Sequence, residues 1–317
     1  MDECLMFPIS PTMEAMISFA EASTEERKHI IDEGIVLTGL AGLGVASMLF
    51  GGDKVVDFIR NVIDSMIRLM KYLVEQLKRL WKWITISARD VNSNNNQFLS
   101  KYGAKLSKMM DVSVILDGYD MSANIMAMAS NLAVEIRLAG NDVDFITNTL
   151  NGDYRFNNHE DINAMINQNR ADILDVDRIG SKSGSMNGIR SDDDFRKAFI
   201  SRLYGYKHPM TFTVADALSI IKTYGSRIAA IVDANKNLEE QGSKDIDKLA
   251  LLRDSFVSGK LVQAEVKGDI VQQFNWFIEY KQRALNDYVM AFQVMTQYAN
   301  EINTQAKAVC IKALQDN

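Results

Sequence analysis

The sequence predicts a mostly α protein: a helical bundle with a long C-terminal heptad helix, an N-terminal apolar and amphipathic helical unit, and a small β-hairpin. Three observations point there. Only 3 prolines occur among 317 residues, and proline breaks helices by removing an N–H and clashing with the preceding turn. Apolar residues recur at intervals of three and four over most of the chain, the period of a helix with one buried face. The stretch 269–314 runs without proline or glycine. Hydrophobic residues make up 47% of the chain, enough to build a core, and a net charge of −6 removes any global basic footprint for nucleic acid.

Residues 1–33 read as two short helices. Ser10 precedes Pro11 as an N-cap followed by proline at the first helical position, and Ser23 with Glu26 makes a capping box. The opening Met1-Asp2-Glu3 lacks the basic region of a secretory signal. Cys4 and Cys310 lie at opposite ends, which suits reduced thiols in a protein made in the cytoplasm.

The unit 34–90 begins with 19 uncharged residues, 34–52, 6 of them glycine. Its length is at the short end for a membrane span. Thr38, Gly42 and Ala46 form a small-residue face for close helix approach, flanked by Leu40, Leu43, Leu49 and Phe50. Two readings stand: a segment that inserts into lipid, or a close-packed arm buried in a bundle or an oligomer. The following stretch, 53–84, is strongly amphipathic. Its basic end carries Lys78, Arg79 and Lys82 with Trp81 and Trp83, and residues 68–89 hold a net charge of +5. Such an end suits a lipid interface or the phosphates of DNA, or a bundle helix whose tryptophans enter the core.

Residues 91–150 read as a helical region with a β-hairpin. An Asn/Ser-rich break at 90–96 precedes a helix near 97–109, and Asp117-Gly118 marks a hairpin turn between β-compatible residues. Helices follow at 122–139 and 142–150. The Asn-, Asp-, Gly- and Ser-rich stretch 151–191 reads as a linker. The C-terminal bundle, 192–317, starts with caps at Ser191/Asp194 and Thr213/Asp216. Helices are expected at 192–204, 213–240 and 244–257, then 269–314. The last has a seam of Phe274, Ile278, Leu285, Tyr288, Phe292, Met295, Ile302 and Val309 for packing within the bundle or between subunits.

No chemistry-bearing constellation emerges. His29, His159 and His208 lie in unrelated segments with no Glu or Cys at ligand spacing, and neither HExxH nor paired CxxC occurs. Asp192-Asp193-Asp194 reads as a solvated helix start, which complements the dipole. The expectation is a non-enzyme with no cofactor and no metal.

At three places the chain resembles internal virion proteins of large tailed bacteriophages. The pattern N-x-x-F-L-x-K-Y is matched by Asn95, Phe98, Leu99, Lys101 and Tyr102, followed by Gly118-Tyr119. The run F-x-x-x-F-x-x-x-L-[FY]-G is matched by Phe195, Phe199, Leu203, Tyr204 and Gly205. A closing helix of aromatic and small residues, 288–314, is the third similarity. Together they cover about residues 53–120 and 193–317, with less lysine and a more glycine-rich apolar segment than is typical of that group. The resemblance implies a viral structural protein in the capsid interior or portal region, made in the host cytoplasm. It also implies several copies, contacts with other virion proteins and itself, and delivery with DNA to the host envelope or fixed scaffolding. Two other classes fit the same helices: a membrane-permeabilising toxin, and a soluble oligomeric connector.

Overall fold

Three helices of 55, 44 and 49 residues dominate the chain, as the scarcity of helix breakers requires. The structure, a computed structural model, describes residues 52–138, 142–150, 152–175, 191–257 and 268–316. The expectations for 1–33 and for the apolar segment through residue 51 fall outside that set. In chain order the elements are α1 (Gly52–Leu106), β1 (Ser113–Gly118), α2 (Ile125–Leu138), α3 (Asp142–Leu150) and α4 (His159–Asp175). They continue with α5 (Asp192–Tyr204), β2 (His208–Thr213), α6 (Val214–Val257) and α7 (Gly268–Asp316).

Cross-helix hydrogen bonds fix the directions of the long helices. Asn95 of α1 donates to the Ile221 carbonyl at 3.3 Å, while Asn235 donates to the Leu77 carbonyl at 3.0 Å. The numbering rises along α6 as it falls along α1, so the two are antiparallel. Helix α7 turns back again, since Tyr224 meets Asn300 near one end and Leu249 shares a core with Phe274 near the other. Glycine permits the closest approach between α1 and α6. A Cβ placed on Gly242 would sit 2.8 Å from Val74 Cγ2.

Burial divides into two clusters along this axis. One gathers Val62–Met70 of α1 with Phe145, Phe156, Ile162, Ile166 and the first part of α7. The other gathers Leu77–Ala88 and Leu106 with α2, α5, α6, the sheet and the second part of α7. Helix α1 keeps its apolar side in both and turns Lys71, Lys78 and Lys82 to solvent.

Four local expectations are corrected. The Asn/Ser stretch 90–96 does not break the helix, because Asn95 stays in phase with Ile84 and Ala88 on the inner face and finds buried partners there. A small two-stranded antiparallel sheet is present, but Asp117-Gly118 is not its turn. Ser113–Gly118 pairs instead with His208–Thr213, with Val114 opposite Phe212 and both buried. Part of the expected linker is helix α4, whose Ile162, Ile166 and Ile173 enter the core. The gap expected between 240 and 244 is also helical, because packing of Gly242 against Val74 outweighs its low propensity.

Candidate functional site

The three sequence patterns that carry the resemblance converge on the second half of α7. Asn95 and Asn303 exchange amide hydrogen bonds at 2.9 and 3.1 Å, and each is 2% exposed. The amide of Gln305 brackets the backbone of Tyr119, accepting from its N–H and donating to its carbonyl, both at 2.8 Å. That approach requires glycine next door: a Cβ on Gly118 would lie 2.7 Å from the Gln305 side chain. The Gly-Tyr dipeptide therefore acts through a missing side chain and an exposed backbone edge, and Gln305 reads that edge as a neighbouring strand would.

The aromatic residues make the rest of the junction. Tyr119 meets Tyr204 edge to face at 5.0 Å between ring centroids, and Tyr204 meets Tyr298 likewise at 5.0 Å. Tyr298 donates to the Asp120 carbonyl at 2.6 Å, and Tyr224 donates to Asn300 at 2.6 Å. Phe195, Phe199 and Leu203 form the inner face of α5. Ser191 caps that helix by accepting from the Asp194 N–H at 3.1 Å. Gly205 ends it at a φ of 60°, a region glycine enters without a Cβ penalty. Phe98 and Tyr102 lie 5.2 Å apart, with Lys307 of α7 over Phe98.

Electrostatics here favour inertness. Burial pushes the phenols of Tyr204, Tyr224 and Tyr298 well above the ordinary tyrosine range, with Glu301 adding to the effect at Tyr204. Burial likewise pushes the Cys310 thiol up to about 11. A thiol held neutral is a poor nucleophile, so Cys310 acts as a small apolar side chain. Arg227 is half-buried, its guanidinium pulled below its ordinary range by burial, and one Nη finds no acceptor among the described residues.

A second polar contact ties the other half together. Arg170 of α4, 1% exposed, holds both carboxylate oxygens of Asp287 at 2.7 and 3.1 Å and also touches Asp192 at the start of α5. Burial pushes the Asp287 carboxyl above the usual range, and the Arg170 hydrogen bonds partly offset it. Of the three acids expected to cap α5, Asp192 thus reaches Arg170, and Asp193 pairs with Lys197.

The seam expected on the last helix is occupied within the chain. Phe274, Tyr288, Phe292, Met295, Ile302 and Val309 are buried, while Ile278 and Leu285 are half-buried at its edge. Lys78, Arg79 and Lys82 are exposed, and Arg79 lies 3.7 Å from Glu75. The tryptophans do not share that face. Trp83 packs partly buried on the core, and Trp81 is half-buried under Lys236 at 5.4 Å. Thr38, Leu40, Gly42, Leu43, Ala46, Leu49 and Phe50 lie outside the described residues.

Three contacts of these junctions are not legible in the sequence. Asn95 belongs to the first pattern, but it stands in an asparagine run that reads as a break, although its phase with Ala88 places it on the inner face. Arg170 was hidden in a stretch read as linker. No pattern marked Gln305, because its role depends on a strand almost two hundred residues away in the chain.

Among the described residues no group of three His, Cys, Asp or Glu side chains is placed to hold a metal ion, and no helix is long and apolar enough to cross a membrane. No protein family, curated protein or solved structure matches the chain.

Proposed function

We propose that the chain is an internal structural protein of a tailed-phage virion, built to assemble and not to catalyse. One observation carries the reading. Residues from all three patterns that resemble internal virion proteins meet at one junction, where each has a packing or hydrogen-bonding role. The chemistry there fits a structural part: buried amides, raised phenols and a neutral thiol stabilise a geometry and offer no activated nucleophile or base. In this reading the protein is packaged in several copies. Because its α7 seam is used internally, copies associate through other surfaces or through the 34–52 segment, which then inserts into the host envelope on release.

Protease treatment of intact and opened particles tests this. An internal protein survives in intact virions and is cut once the particles are opened. Cleavage in intact particles would place it outside. The toxin reading makes the opposite demand, that purified monomer alone permeabilise susceptible cells.

A further inference from the structure

The solvent face of α1 between Arg68 and Arg89 concentrates positive charge on a protein that is negative overall. Lys71, Lys78, Lys82 and Arg89 are exposed and fall on one side of the helix, with Arg68 and Arg79 beside them. None of the first four has an acidic partner among the described residues, and Glu75 is the one acid in this span. At about 1.5 Å per residue the stripe is roughly 32 Å long. Over that distance a nucleic-acid duplex presents roughly 19 negative charges along its axis.

The same face argues against a bilayer. An interfacial helix needs apolar side chains beside its cations to enter the headgroup region. Here Trp81 lies under Lys236 and Trp83 against the core, which leaves Ile86, 48% exposed, as the lone exposed large apolar group among these cations that the described side chains include. We infer that this stripe docks the phosphate backbone of duplex nucleic acid without sequence preference. Lysine and arginine at helical spacing supply charge and N–H donors to phosphates. Every step of a duplex offers such cations the same phosphates whatever its sequence, so a contact made through charge carries no sequence preference. The inference rests on the charge of this surface alone: a chain absent from particles would still bind, and a packaged chain that ignored nucleic acid would leave the virion reading intact.

The test is fluorescence anisotropy of the full chain with two unrelated DNA duplexes of about three helical turns, titrated with salt from about 50 to 200 mM. Equal affinity for both, falling steeply with salt, is expected. The combined Lys71→Gln, Lys78→Gln and Lys82→Gln variant should bind at least about tenfold more weakly, with a salt slope shallower by about three. A control variant combining Lys105→Gln, Lys108→Gln and Lys222→Gln removes the same charge elsewhere and should bind like the parent. Lysine acetylation of the unaltered chain, with and without duplex, gives a readout independent of variant folding; Lys71, Lys78 and Lys82 should be shielded. Failure of the parent to bind at low salt, equal losses in both variants, or absence of shielding would overturn the inference. So would flotation with phosphatidylglycerol vesicles that the stripe variant loses while duplex is ignored, since that assigns the face to lipid.

Discussion

The two halves of α7 are held in place by different chemistry. In the first half, Phe274, Phe277 and Tyr280 join an apolar cluster in which Phe145 stacks on Phe277 at 3.8 Å; Arg170 pairs with Asp287 there, and Gln273 brackets the Phe156 backbone, accepting from its N–H at 3.0 Å and donating to its carbonyl. In the second half, Tyr298, Asn300, Asn303 and Gln305 spend their polar atoms on other helices and on the Tyr119 backbone. Apolar packing is non-directional and tolerates exchange of shapes. Hydrogen bonds between buried amides accept one register only, because a slip leaves donors unpaired in a poor solvent for them. The contrast teaches that both halves fix their register with buried polar groups, the first leaning on an ion pair set in apolar packing and the second on neutral amides and phenols. The patterns resembling virion proteins lie in or beside the second half.

Charge gives the largest way to break the contrast. Asp287→Ala strands a buried guanidinium and should cost about 3–5 kcal/mol in thermal or denaturant unfolding. Asp192→Ala removes an exposed partner of the same arginine and should cost about 0–1 kcal/mol. Similar losses in both would mean that the buried pair is not the anchor of its half.

The amide pair comes next. Asn303→Ala should cost about 1–3 kcal/mol by leaving Asn95 unpaired, whereas Asn95→Leu with Asn303→Leu should be near neutral. The double variant sharpens the comparison: it should retain stability yet lose the fixed register, seen as broadened NMR signals near Tyr119 and Ile221. Sharp, unshifted signals would show that the amides do not set register.

Glycine substitutions probe the approach of α1 to α6. Gly242→Ala should lose about 1–3 kcal/mol because its Cβ meets Val74, and Val74→Ala in the same chain should recover part of that. Gly225→Ala places its Cβ 3.4 Å from Asn92 and gains helix propensity, so it should change stability by less than about 1 kcal/mol. Equal effects would contradict the close packing at Gly242.

A smaller, pH-linked effect belongs to the second half. Tyr204, Tyr224 and Tyr298 have folded pKa values raised above the unfolded value of about 10. Their contribution is fully present below that pH and is lost as pH rises through it, since unfolding then releases protons. Phenolate absorbance from these three should therefore appear together with loss of helical circular dichroism. Their ionisation while the helices persist would contradict the buried ladder.

How much of this the sequence could reveal follows from the range of each interaction. Helix α7 and the burial of Phe292, Ile302 and Val309 were legible, because a 3–4 period is local and uninterrupted. So was α5, where Ser191 announces the start and Phe195, Phe199 and Leu203 the inner face. The sheet was legible in its presence but not its pairing, since α2 to α5 separate Val114 from Phe212 along the chain. Asn95 read as a breaker by type, and only its partner Asn303 turns it into a core residue.

The central claim is that this chain is packaged inside a virion, and mass spectrometry of protease-shaved particles tests it most directly. The samples are DNA-filled virions, and particles that have ejected their DNA, produced by the genome that encodes the chain. The account predicts its peptides in the filled particles in multiple copies per virion, with loss on ejection if residues 34–52 act at the envelope and retention if the protein is a fixed scaffold. Absence from shaved, filled particles would contradict the account.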